Sequence, residues 1–162
     1  MSIAFSGNEL INIAIGIEKR GITFYDIMAR STDNDMAREM FQNLADMERG
    51  HVQLFQDMLD ESDKYQPDMT LTEEYNDYLK SLIDNAVFTD DMITSEMATQ
   101  ANSDVQSVEL GISAEKDSIL FYYQMRDMMP RQALPKIDGI IAEEKSHLRQ
   151  LSEIKKRLTE VR

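Results

Sequence analysis

The stretch EKRGITFY, from Glu18 to Tyr25, returns as EKDSILFY, from Glu115 to Tyr122. Each copy sets a glutamate seven residues ahead of a tyrosine, and a Glu-x-x-His follows each about thirty residues later. These are Glu48-Arg49-Gly50-His51 and Glu144-Lys145-Ser146-His147, which contain both histidines of the chain. One motif set is therefore written twice. Four glutamates and two histidines in this order are what a carboxylate-bridged pair of metal ions requires inside a bundle of four helices.

The residues around the motifs carry helical spacing. Ser6-Gly7-Asn8-Glu9 reads as a capping box that opens a first long helix over about 7–31. Along it Ile11, Ala14, Glu18, Gly21, Tyr25 and Met28 recur at intervals of three and four, so they share one face. The polar run Ser31-Thr32-Asp33-Asn34 ends that helix and caps a second, over about 33–65, which stops ahead of Pro67. Its stripe is Ala37, Phe41, Leu44, Glu48, His51, Phe55 and Met58. Asn102-Ser103-Asp104 caps a third long helix, about 103–129. There the stripe runs through Val108, Gly111 or Ile112, Glu115, Ser118 or Ile119, Tyr122 and Met125. Pro130 and Pro135 punctuate the next turn. The fourth helix, about 131–160, faces inward with Ile137, Ile141, Glu144, His147 or Leu148, and Leu151. No strand-like alternation of useful length occurs, so the fold class is all-α.

Connection lengths then set the topology. A few residues join the first helix to the second and the third to the fourth, which forces antiparallel hairpins. The link over 66–102 is far longer, with short helical pieces at 72–84 and 90–99, and it suits a crossover running the length of a bundle about 40 Å long. Register supports the assembly. Glu18 lies fourteen residues before the first turn and Glu48 sixteen after it; Glu115 lies fifteen before the second turn and Glu144 fourteen after it. At a rise of about 1.5 Å per residue, all four carboxylates reach one level within about 3 Å. A lone Glu-x-x-His on a helix is ordinary surface polarity; duplication and common register are what point to metal.

Within each Glu-x-x-His, three helical residues bring both side chains to one ion. Glu48 and Glu144 are the expected bridges, with Glu18 and Glu115 as terminal carboxylates and His51 and His147 as terminal imidazoles. Spacing alone does not say which ion takes which imidazole. This oxygen and nitrogen set suits iron or manganese and admits zinc. Tyr25 and Tyr122, two turns beyond Glu18 and Glu115, can donate hydrogen bonds to a carboxylate of the other half and orient it. Four inward carboxylates would repel one another without a cation.

Composition narrows the remaining classes. The 162 residues suit a single domain over 1–162, with 42% hydrophobic and 29% charged residues. A net charge of −13 argues against nucleic acid, which demands clustered Lys and Arg. With no cysteine there are no disulfides, thiolate zinc sites or iron–sulfur clusters, in keeping with a reducing compartment. The start, MSIAFSGNEL, is unlike a signal peptide, and no apolar run approaches a membrane span. A cytoplasmic protein without membrane contact is expected. The 12 methionines read as adaptable core filler.

At Glu18, Glu48 with His51, Glu115, and Glu144 with His147, the chain resembles the rubrerythrin branch of the ferritin-like superfamily over nearly its whole length. The resemblance implies a ferritin-like four-helix bundle holding two non-haem iron ions, oxidised by hydrogen peroxide or O₂ and re-reduced by an electron donor. Rubrerythrins commonly carry a cysteine-bearing rubredoxin module. Its cysteines are absent here, so electrons are expected from a separate, rubredoxin-type protein. Rubrerythrins also place an extra glutamate three residues from the glutamate of the third long helix; here those neighbours are Ile112 and Ser118. The remaining set is closer to the ferroxidase centre of bacterioferritin, which makes iron oxidation or storage the alternative reading. A homodimer is the expected assembly, since ferritin-like bundles often pair side by side.

Overall fold

In the computed structural model, residues 5–61, 72–86 and 103–160 are described. Four long helices and one short one account for most of them: α1 (Gly7–Ser31), α2 (Asp35–Asp60), α3 (Glu73–Asp84), α4 (Asp104–Met128) and α5 (Leu134–Glu160). A 3₁₀ turn, Arg131–Ala133, leads into α5.

Local chemistry explains where each helix starts. The Ser6 side chain accepts from the Glu9 backbone N–H while the Glu9 carboxylate accepts from that of Ser6, closing a capping box. Asn34, Thr72 and Ser103 cap α2, α3 and α4 by the same side-chain-to-backbone bond. Pro130 precedes the 3₁₀ turn, whereas Pro135 stands inside the first turn of α5 rather than in the connection. It costs little there, because a first-turn N–H has no intrahelical acceptor to lose. The expected end of the second helix near Tyr65 and the helical piece at 90–99 lie outside the described residues.

α1 packs chiefly on α2 and α4 on α5, and α3 leans on α4. This is an all-α bundle of two antiparallel hairpins. Its core is divided in two. At one end Leu10, Ile11, Phe55, Met58, Tyr122, Met125, Ile137 and Ile141 pack together, with Leu79 of α3 joining them. At the other end the cluster includes Phe24, Tyr25, Met28, Phe41, Leu44, Val108 and Leu151. Between the two lies a buried polar layer of Glu18, Glu48, His51, Glu115, Glu144 and His147. Packing decides two of the three positions at which the sequence admits two readings; Ser118 and Ile119 are both half-buried. Gly111 and His147 turn inward and are buried, while Ile112 and Leu148 are half-buried.

Candidate metal centre

Each functional side chain projects from the middle of a long helix, where regular hydrogen bonding on both sides fixes its direction. The six side chains fall into two overlapping groups whose potential ligand atoms lie within 4.8 Å of one another: Glu18, Glu48, His51 and Glu144, and Glu48, Glu115, Glu144 and His147. Glu48 and Glu144 belong to both. The grouping settles what spacing leaves open, since His51 goes with Glu18 and His147 with Glu115.

Nδ1 of each imidazole faces the carboxylates. His51 Nδ1 lies 3.0 Å from Glu48 Oε2, 3.3 Å from Glu18 Oε2 and 2.9 Å from Glu144 Oε1. His147 Nδ1 lies 3.3 Å from Glu144 Oε2, 3.4 Å from Glu48 Oε1 and 3.7 Å from Glu115 Oε1. The two rings stand nearly parallel, with centroids 5.6 Å apart and planes inclined by 20°. The Tyr25 hydroxyl donates to Glu115, and the Tyr122 hydroxyl donates to Glu18. Each tyrosine thus holds the carboxylate of the opposite hairpin. Tyr25 seats closely over Gly111, where a Cβ would stand 3.4 Å from its ring and 3.3 Å from Leu151.

Electrostatics divides the six groups by role. Burial, then repulsion from Glu48 and Glu144, raises the Glu18 pKa well above the usual carboxylate range. Burial, a hydrogen bond with Glu144 and that residue's charge do the same to Glu115. Glu48 and Glu144 end below the range: burial opposes their ionisation, but hydrogen bonds from the neighbouring glutamates and both imidazoles outweigh it. Burial disfavours charge on the imidazoles too, yet their carboxylate partners win. The His147 pKa is pushed up to about 12, and that of His51 is also raised strongly. Both tyrosines are held as neutral phenols by burial and by nearby carboxylates. In these directions the shifts favour protons on the imidazoles, Glu18 and Glu115, and charge on Glu48 and Glu144. Two divalent cations would balance four carboxylates and two neutral imidazoles.

Hydrogen bonding favours the cations. Neither oxygen of Glu144 and neither nitrogen of His147 makes a well-directed hydrogen bond among the described residues, although His51 Nδ1 and His147 Nδ1 lie 2.9 and 3.3 Å from the Glu144 oxygens. Buried polar atoms without directed bonds are rare in protein interiors, and here the Glu144 oxygens and His147 Nδ1 face the space the two ligand groups enclose. The donor set fits two metal ions.

The sequence profile of the rubrerythrin family matches residues 9–155. The chain belongs to the rubrerythrin family. A crystal structure of a Thermotoga maritima protein, named as ferritin-like and diiron-carboxylate, shares 26% identity with this rubrerythrin-family chain at a TM-score of 0.68, covering 94% of this chain and 95% of the other. A DUF305 fragment from Deinococcus radiodurans shares the fold at a TM-score of 0.63 and 12% identity, over 93% of this chain and 95% of that one. No curated protein matches the chain. The rubrerythrin-family centre is accordingly a di-metal site of the carboxylate type.

Two surroundings of the centre escape a reading by periodicity. A recess between α1 and α4, roofed by Leu82, Ile83 and Ala86, reaches the carboxylates of Glu18, Glu48 and Glu115. It exists because Gly21 and Ser118, equivalent positions in the two motif copies, are small; a Cβ on Gly21 would already touch Glu48 Cγ at 3.7 Å. Glu143 approaches from the opposite side of the bundle, its Oε2 lying 2.5 Å from His51 Nε2. Sequence spacing puts Glu143 on the outer face of its own helix and gives no sign that it touches another. No helix among the described residues is long and apolar enough to cross a membrane.

Proposed function

We propose that this chain is a non-haem di-iron oxidoreductase that reduces hydrogen peroxide or O₂, drawing electrons from a separate donor protein of rubredoxin type. The observation that carries the reading is the pair of ligand groups sharing Glu48 and Glu144, approached by a recess that ends on three of the carboxylates. Two bound ferrous ions would each supply one electron, so that hydrogen peroxide with two protons yields two waters. Glu48 and Glu144 would bridge, Glu18 and His51 would complete one position, and Glu115 and His147 the other.

The remaining work falls to the protein. Tyr25 and Tyr122 keep their protons and orient Glu115 and Glu18; the Tyr122 bond to Glu18 Oε1 leaves Oε2 facing His51. Ile17, Ala114 and Phe121 give the recess apolar wall, alongside the polar side chains of Arg20, Asp117 and Ser118. Protective turnover of this type belongs in a reducing cytoplasm, in a protein we expect to be a homodimer; light scattering on the purified chain tests the dimer.

Ferroxidase activity is the second reading, favoured by Ser118, which leaves the ligand set symmetric. Anaerobic loading with ferrous iron, followed by one equivalent of hydrogen peroxide, tests the proposal. Two irons per chain, oxidised stoichiometrically and turned over repeatedly when a donor is supplied, are expected. Ferric mineral accumulating beyond two irons per chain would replace the reductase by the ferroxidase, and two ions inert to peroxide would discard both.

A further inference from the structure

The two imidazoles are backed differently. His51 Nε2 lies 2.5 Å from Glu143 Oε2, a carboxylate reaching across from α5, and no other charged group approaches that nitrogen as closely among the contacts of the described residues. The Glu143 side chain is 54% exposed, so its charge is hydrated on one side and directed at the ring on the other. His147 Nε2 is fully buried and has no hydrogen-bond partner among the described residues. The duplication explains the contrast. Glu143 immediately precedes Glu144, and the residue immediately preceding Glu48 is Met47, whose thioether is only a weak acceptor.

We propose that Glu143 makes the two metal positions unequal, acting as a positioning residue for His51 that has no counterpart at His147. With Nε2–H committed to Glu143, the His51 tautomer is fixed, its Nδ1 lone pair points at the centre, and the ring becomes a better donor. The His147 ring presents its own Nδ1 with no carboxylate on its Nε2–H to fix the tautomer or strengthen the ring as a donor, so it is the weaker ligand. The position formed by Glu18, Glu48, His51 and Glu144 is therefore the tighter one and fills first. The inference rests on the two-metal reading above.

Anaerobic calorimetric titration with ferrous iron, paired with anomalous scattering at the iron edge from partly loaded crystals, reads both positions without any turnover. The wild type is expected to bind two ions in resolved steps, with iron first at the His51 position. Glu143→Ala should weaken that step by about 10- to 100-fold and leave the other nearly unchanged. Glu143→Gln, which still accepts the Nε2–H bond, should recover part of the loss. Met47→Glu should tighten the second step towards the first. Two equal steps in the wild type, or a Glu143→Ala loss spread evenly over both, would overturn the proposal while leaving the di-metal reading in place. Failure to bind two ions at all would instead remove that reading.

Discussion

In the α1–α2 hairpin the imidazole of His51 rests against a half-exposed carboxylate from the other hairpin; in the α4–α5 hairpin His147 is fully buried, and its Nε2 has no hydrogen-bond partner among the described residues. The ligands of the two halves repeat, and their supports do not. Gly50 and Gly139, where a Cβ would meet open space, leave a groove along α2 and α5 that reaches His51 and Glu143. At the equivalent positions of the other copy stand Ser146 and Asn43. The surface follows the same rule. Arg49 of α2 bridges Asp26 and Asp46 at 2.6 and 2.8 Å, and its counterpart Lys145 pairs with the hydroxyl and ring of Tyr123, which stands where Asp26 stands in the first copy. A metal centre needs every ligand at once, so the ligand pattern can only repeat whole. Each support touches one ligand, so it can differ between copies without undoing the site.

The strongest way to break the comparison is to remove a shared ligand. Glu48→Ala or Glu144→Ala should abolish binding of the second ion and weaken the first by orders of magnitude; two tightly bound ions in either variant, measured by elemental analysis after desalting, would refute the bridging assignment. Next comes charge balance. If protons stand in for cations at Glu18, Glu115, His51 and His147, whose pKa values are all raised, these groups give up protons to metal. Loading should then release about four protons per chain, and affinity should fall steeply as pH drops. Calorimetry in buffers of different ionisation enthalpy counts them, and a release near zero would contradict the assignment.

Blocking the recess should separate chemistry from binding. Gly21→Leu is expected to slow oxidation by hydrogen peroxide at least about tenfold while two ions still bind, because the new side chain fills the approach between α1 and α4. Unchanged stopped-flow rates would move the approach elsewhere. The tyrosines sharpen the contrast by crossing it. Tyr25→Phe should weaken the His147 position and Tyr122→Phe the His51 position, each by about 1–2 kcal/mol, since each hydroxyl serves the carboxylate of the opposite hairpin. Loss at the same-hairpin position, seen in site-resolved occupancies, would reverse that pairing. Smallest is the surface: Arg49→Ala should cost at most about 1 kcal/mol in denaturant unfolding, because its carboxylate partners are solvated.

What the sequence by itself determined is the part governed by local rules. Helical stripes, capping residues and two short connections dictate two antiparallel hairpins, and a rise of about 1.5 Å per residue brings Glu18, Glu48, Glu115 and Glu144 to one level. Register along a helix is additive, so it survives without knowledge of neighbours. Tertiary structure alone decided what depends on distances between helices. It paired His51 with Glu18 and His147 with Glu115, crossed each tyrosine to the opposite hairpin, opened the recess under α3, and brought Glu143 to His51. Periodicity assigns a residue to a face of its own helix; what that face meets is set by how the helices pack, because a side chain at the edge of a buried stripe reaches a neighbouring helix only at the separation that packing fixes.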